Sequence, residues 1–324
     1  LGQQLQAWRL GLAGFAPDDD RLRLLRDSLL LAARRQALYA VQALGLLADP
    51  AAVPAVLLAL QSPDAAQQAN ALETIDNWPG RDRLRPLLAL WDSAAQPAAP
   101  PGPPASSLES LTPLLHDPDA WLRACAALVA GGQADPNLQG QLARLAESDP
   151  DPLVRATAAA ALRPALGDAP MDTIATLSIM DRILFLKRVP LFSTLPPAEL
   201  KQIAAIALEQ IHLPGDSIAR QGEPGDEMYI IVTGAVRVLA TGGPGPSTEL
   251  ARRGPGDYVG EMAVISQEPR MASLVAEGDT RVLCIERAQF EAILRERPET
   301  SLAVMRMLIA RLREVQSLNA ASGV

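Results

Sequence analysis

Aromatic side chains are scarce in this 324-residue chain: four Trp, three Tyr and four Phe, 3% of the total. Cysteine is nearly absent. Cys125 and Cys284 stand 159 positions apart, each inside an apolar periodic segment and near neither a second Cys nor either of the two His. That excludes zinc and redox spacings and leads us to expect a reducing, cytoplasmic compartment. No apolar run approaches the roughly 20 residues needed to cross a bilayer, and no basic start followed by an apolar stretch marks a secretory signal. Membrane insertion by this segment is not expected. An excess of positive charge is lacking too, because the net charge is -8, with 16 basic against 20 acidic residues in 1–189 and 13 against 17 in 190–324. Neither half suits a nucleic acid partner. His116 and His212 have no Ser or Cys nucleophile at a recognisable spacing, so no enzyme and no cofactor are expected.

At roughly 150 residues per domain the length predicts two domains, and the composition changes near residue 190. Before that point Leu and Ala recur at three- and four-residue spacing in short segments headed by Asp, Pro or Ser, a helical pattern throughout. After it, Glu227 to Thr233 and Thr280 to Ile285 are short, β-branched and bounded by Gly-containing turns, as strands are. The fold class expected is α+β: helical repeats over 1–168, a connecting helix over 169–189 and a β-rich domain over 190–324. Leu1 stands where an initiator Met would, and Gln3 to Leu12 already reads as amphipathic helix. A longer parent polypeptide, trimming and proteolysis each account for this start.

The first part repeats itself. Asp117-Pro-Asp-Ala-Trp-Leu-Arg-Ala-Cys-Ala-Ala127 aligns with Asp149-Pro-Asp-Pro-Leu-Val-Arg-Ala-Thr-Ala-Ala159 at an offset of 32 residues, seven of eleven positions being identical. A weaker copy begins at Ser62-Pro-Asp-Ala. Asp or Ser heading each copy is suited to capping a helix, Pro to its first turn, the second acid to the positive helix end and the alanines to close packing. Repeats of this period with paired helices build a solenoid, and residues 20–168 resemble HEAT-type repeats; an irregular helical bundle is the alternative. Five prolines in Ser93 to Ser107 interrupt the helices, as an exposed linker or as a proline-recognition ligand. Met171 to Val189 then returns to helical periodicity.

The functional signal lies in Arg253-Gly-Pro-Gly-Asp-Tyr-Val-Gly-Glu-Met-Ala-Val-Ile-Ser-Gln-Glu-Pro-Arg-Met-Ala-Ser273, a loop embedded between strands. Gly260 permits close backbone approach, and Glu261 to Ile265 can form a helical turn whose free N–H groups face an anion. Arg270 adds a bidentate positive partner for phosphate. A carboxylate beside an anion site is at odds with phosphate alone, but Glu261 can accept a sugar hydroxyl, so the set describes a ribose-phosphate unit.

These residues, with Leu191-Phe-Ser-Thr-Leu195 and Gly222-Glu-Pro-Gly-Asp-Glu-Met-Tyr-Ile-Ile-Val-Thr-Gly-Ala-Val-Arg-Val238, resemble the cyclic nucleotide-binding domain family over about 190–318. The resemblance implies a β-roll with C-terminal lid helices, in which Gly260, Glu261, Met262, Ala263, Arg270, Met271 and Ala272 form the phosphate-binding cassette. Glu261 would hold the ribose 2′-hydroxyl and Arg270 the cyclic phosphate. Val259 departs from the Phe usual before Gly-Glu, and Met271 replaces the Thr common in cGMP-selective relatives. A thioether cannot donate a hydrogen bond to guanine, so cAMP is the ligand expected, with cGMP second. Two helices follow, Arg287 to Arg297 and Pro298 to Leu318, the last a mobile lid in the family. Arg311 sits where many relatives carry a base-contacting arginine and Val315 one turn later; a solvated arginine on an amphipathic face is the alternative.

The implied function is a cAMP-responsive regulatory module acting on a protein partner or a covalently linked N-terminal domain. A HEAT-repeat scaffold with a degenerate nucleotide site is the alternative. A catabolite-activator type of transcription factor is disfavoured, because only ten residues follow Glu314 and no basic recognition helix is present; the chromophore lyases that share HEAT-like repeats are disfavoured for want of a nucleophile or acid pair. The order of repeats and nucleotide domain also resembles the soluble C-terminal part of bacterial membrane proteins related to nucleotide transporters, on the cytoplasmic side.

Overall fold

Aspartates at helix starts organise the N-terminal half of the computed structural model, which describes residues 19–62, 64–91, 107–163, 176–193, 195–241 and 247–296, and positions 301, 305 and 309. Helix α1 (Asp20–Ala48) is capped by Asp19, which accepts the Arg21 N–H; α2 (Val53–Gln61) carries Pro54 in its first turn; α3 (Ala65–Asp76) is capped by Asp64. A 3-10 turn (Arg81–Arg83) and α4 (Arg85–Leu88) complete the first helical group. Its core joins Ala33, Ala37 and Val41 of α1 to Val53, Val56 and Leu60 of α2, Ile75 of α3, and Trp78 and Trp91. The Trp91 indole donates to the Leu60 carbonyl at 2.8 Å. The Pro-rich 93–106 stretch lies outside the described residues.

The second helical group comprises α5 (Ser107–Leu115), α6 (Ala120–Ala130), α7 (Pro136–Ser148) and α8 (Pro152–Ala161), with α5 packing on α6, α7 on α8, and α6 on α8. This is the pairing of successive helical hairpins that the 32-residue repeat predicts. The capping roles differ from those expected. Asp119 and Asp151, the second acids of the two copies, are the N-caps, accepting from Trp121 N–H and from Leu153 and Val154 N–H. The first acids, Asp117 and Asp149, instead accept the N–H of Asp119 and Asp151 at 2.8 and 2.9 Å. Pro118 and Pro150 lie between two such acids, outside the helix. The physical reason is that a turn before the helix offers its own N–H to the first carboxylate and leaves the helix start to the next one.

Six positions after the first residue of each copy, a side chain reaches back. Arg123 donates to the Asp117 carbonyl at 2.8 Å, Arg155 to the Asp149 carbonyl at 2.6 Å, and Gln68 to the Ser62 carbonyl at 2.6 Å. The weak copy at Ser62 is thus the same structural unit. Arg123 also grips the Asp149 carboxylate through Nε and Nη2 at 2.8 and 2.9 Å, the side chains being 12% and 4% exposed.

In the second half, Thr176–Ser178 is not helical, and α9 spans Ile179–Arg188. The helix expected from residue 169 therefore begins later where it is described. Ser178 and Asp181 form a reciprocal capping box that sets its start; residues 164–175 lie outside the described residues. Helix α10 (Pro197–Ile206) follows and packs on α9. Then come β1 (Leu208–His212), β2 (Ser217–Ala219), β3 (Glu227–Ala240), β4 (Thr248–Arg253), β5 (Tyr258–Val259), α11 (Glu261–Ser266), β6 (Ser273–Glu286) and α12 (Arg287–Glu296). The strands form an antiparallel sheet ordered β1-β6-β3-β4, with β2 on β6 and β5 on β3. His212 lies in β1; burial lowers the pKa of its imidazole.

Register shifts between Ile231 and Thr233 and between Thr233 and Ala235 bend the long β3-β6 ribbon. Its buried face gathers Tyr229, Ile231, Val236, Val259, Leu274, Val282 and Cys284. The chain divides into two compact units, Leu1–Gly167 and Asp168–Val324. Among the described residues no helix is long and apolar enough to cross a membrane.

Candidate functional site

Gly260 is the pivot. It leaves β5 with φ +85°, in the left-handed region, and N-caps α11. A Cβ there would lie 2.4 Å from Arg270 Nη1 and 3.0 Å from the Glu227 carbonyl, so only glycine fits. The short helix that follows leaves the N–H groups of its first turn without carbonyl partners of its own. Glu261 opens it and is 1% exposed; Ala263 and Val264 are buried, while Met262 and Ile265 face outward.

Arg270 returns to the same place from the other end of the loop. Its backbone pairs with the Gly222-Glu-Pro-Gly225 turn, Gly222 N–H donating to the Arg270 carbonyl and Arg270 N–H to the Glu223 carbonyl, both at 2.8 Å. The residue is 6% exposed, and its guanidinium donates to the Gly260 carbonyl at 3.2 Å and lies with Cζ 5.5 Å from the Tyr229 ring centre. Among the described residues no carboxylate pairs with it. A guanidinium has five N–H donors, and among the described residues the Arg270 side chain meets one protein acceptor. Met271, 62% exposed, and half-buried Ala272 lead into β6. The loop thus brings Gly260, Glu261, Ala263 and Arg270 together; Arg311 and Val315 lie outside the described residues.

Four further residues complete this corner, and none was among the predicted site residues. Gly225 lets the turn press in, since a Cβ there would lie 2.4 Å from the Ala263 Cβ and 3.0 Å from Arg270 Nε. Tyr229 is buried beneath Arg270, and its hydroxyl donates to Glu227 Oε2 at 2.6 Å. Burial and that bond hold the phenol far above its usual range. Burial and then Glu227 push the neighbouring Cys284 thiol up to about 12, leaving it an inert part of the core. Arg287, heading α12, donates to the Gly225 carbonyl at 2.7 Å and pairs with Asp226 at 2.7 Å, tying the turn to the helix after β6. The only sequence sign of these contacts was the Gly222-to-Val238 motif, which contains Gly225, Glu227 and Tyr229 but does not state what they touch. An open cavity of about 550 Å³ lies elsewhere, lined by Ser217, Gln221, Leu239, Ser273 and Val275, and has no part in the corner around Arg270.

Against known proteins, the family model of the cyclic nucleotide-binding domain matches residues 210–297, and that of HEAT repeats matches 108–178. A cAMP-dependent protein kinase regulatory subunit of Aspergillus niger is 40% identical over 111 residues, covering 34% of this chain and 26% of that protein. A cyclic AMP receptor protein of Thermus thermophilus is 33% identical over 129 residues, covering 40% of this chain and 60% of that protein. A solved structure of a cyclic nucleotide-binding-like protein from Brucella abortus is 36% identical, covers 36% of this chain and 98% of that one, and has a TM-score of 0.32. The chain spans about a quarter of the fungal subunit and three-fifths of the bacterial receptor. Residues 210–297 thus match the cyclic nucleotide-binding domain family, and they follow a match to HEAT repeats at 108–178.

Proposed function

We propose that this chain is a regulatory module that binds a cyclic mononucleotide, cAMP in preference to cGMP, at the corner formed by Gly260, Glu261 and Arg270. The observation that carries this reading is the buried Arg270 guanidinium, whose positive charge meets a carbonyl and a ring but no carboxylate among the described residues. A buried charge is costly unless an opposite charge arrives. In the proposal a cyclic phosphate supplies that charge, the amides of Met262, Ala263 and Met271 or Ala272 add donors, and Glu261 accepts the ribose 2′-hydroxyl. Met271 lacks the hydroxyl that would reward guanine, and Arg311 and Val315 would cover the base from the final helix. The names of the fungal and Thermus relatives, both of which specify cAMP, support the same choice.

The proposal extends to the rest of the chain. Ligand binding favours one conformation of the module, and the helical repeats pass that preference to a protein partner or to a linked domain, a transporter-like membrane domain included. No catalysis and no cofactor enter this reading, and the module acts in the cytoplasm. Calorimetry of the whole chain with cAMP and cGMP, alongside Glu261→Ala and Arg270→Ala, tests it. We expect cAMP to bind more tightly than cGMP and both substitutions to weaken it. Binding indifferent to Arg270→Ala refutes the site, and no heat with either nucleotide favours the scaffold reading.

A further inference from the structure

Arg270 is held by neutral partners. An arginine largely shielded from solvent is usually fixed by a carboxylate, as half-buried Arg123 is by Asp149, but a carboxylate on Arg270 would compete with any incoming anion. Here the guanidinium instead lies over the Tyr229 ring at 5.5 Å, donates to the Gly260 carbonyl, and has its Nε beside the place that Gly225 leaves without a side chain. One carboxylate of this corner, Glu227, is engaged by the Tyr229 hydroxyl at 2.6 Å. A phenol donating to a carboxylate carries more electron density on its ring face, which strengthens that face as a seat for a cation.

We propose that Tyr229, anchored by Glu227, is the positioning residue of the anion site: it orients the Arg270 fork by its π face while leaving the positive charge for the ligand. Its effect on affinity rests on the cyclic nucleotide reading above; its effect on the free arginine does not. The tests separate the two. With the full chain, replacing Tyr229 by phenylalanine bearing zero, one, two and then three ring fluorines keeps the shape and drains the ring face. The affinity for cAMP should fall stepwise along the series, to about tenfold at its end. Equal affinity along the series overturns the proposal. In the ligand-free chain, nitrogen-15 NMR should show slow rotation of the Arg270 guanidinium in the native protein and with Tyr229→Phe, and fast rotation with Tyr229→Leu. Identical rotation in all three overturns it as well, with retained secondary structure by circular dichroism certifying the leucine variant as folded. If the native chain binds no cyclic nucleotide, the functional reading falls and the NMR comparison alone decides the role of Tyr229.

Discussion

Arg123 in the helical unit is half-buried and Arg270 in the sheet unit is buried, and their partners differ in kind. Arg123 holds the carboxylate of Asp149, and that bond keeps the Asp149 carboxyl below its usual pKa while raising that of the arginine. Arg270 has a carbonyl and an aromatic face. A buried pair whose charges already cancel locks two helices and has nothing left to offer; a buried cation held by neutral groups keeps its charge available. The helical unit thus uses arginine as a joint. The sheet unit, on the proposed reading, uses it as a receptor.

The sharpest way to break this contrast is to remove each arginine's function in turn. Arg270→Ala should cost cAMP affinity about a thousandfold, near 4 kcal/mol, while leaving the unit folded; a collapsed circular dichroism spectrum would make Arg270 structural after all. Asp149→Ala, which strands the Arg123 charge, should destabilise the helical unit by about 3 kcal/mol in denaturant unfolding and leave cAMP affinity unaltered. Gly260→Ala should cost about 2 kcal/mol of stability through its positive φ and its clash with Arg270, and weaken binding too. Met271→Thr should improve cGMP affinity about fivefold with cAMP little changed, measured by competition.

The smallest effect is the pH dependence of two aspartates at matching repeat positions. Asp149 has its pKa lowered from the ordinary 3.8 by the Arg123 bond, so its contribution is present above that value and is lost as pH falls through the folded pKa. Among the described residues no arginine donates to the Asp117 carboxylate, and burial raises its pKa although the charge of Arg123 opposes the rise; its contribution is present below the ordinary value and is lost as pH rises through the folded one. At neutral pH Asp149→Asn should therefore lower the melting temperature, whereas Asp117→Asn should leave it unchanged or slightly raised. Equal losses for the two would remove the distinction.

Much of this was legible in the chain before folding. The 32-residue repeat announced paired helices because capping and close alanine packing depend on neighbours in sequence. The Gly-Glu and Pro-Arg turns announced an anion corner for the same reason: a left-handed glycine and a short helix are local conditions. Less legible were which acid of Asp-Pro-Asp caps and where α9 starts, since each depends on competition among several nearby donors and acceptors. Gly225, Tyr229, Glu227 and Arg287 were hidden more deeply. They lie up to 62 positions from their partners, as Arg287 does from Gly225, and no local pattern encodes such a meeting.

By itself, then, the order of residues determined two kinds of architecture and the residue types of a sugar-phosphate corner, because helix caps, strand alternation and turn glycines act over a few neighbours. Only the tertiary structure decided that Arg270 is seated on a ring while Arg123 is seated on a carboxylate. That choice depends on which distant side chain arrives beside a desolvated cation, and there a neutral partner and a charged one have opposite consequences.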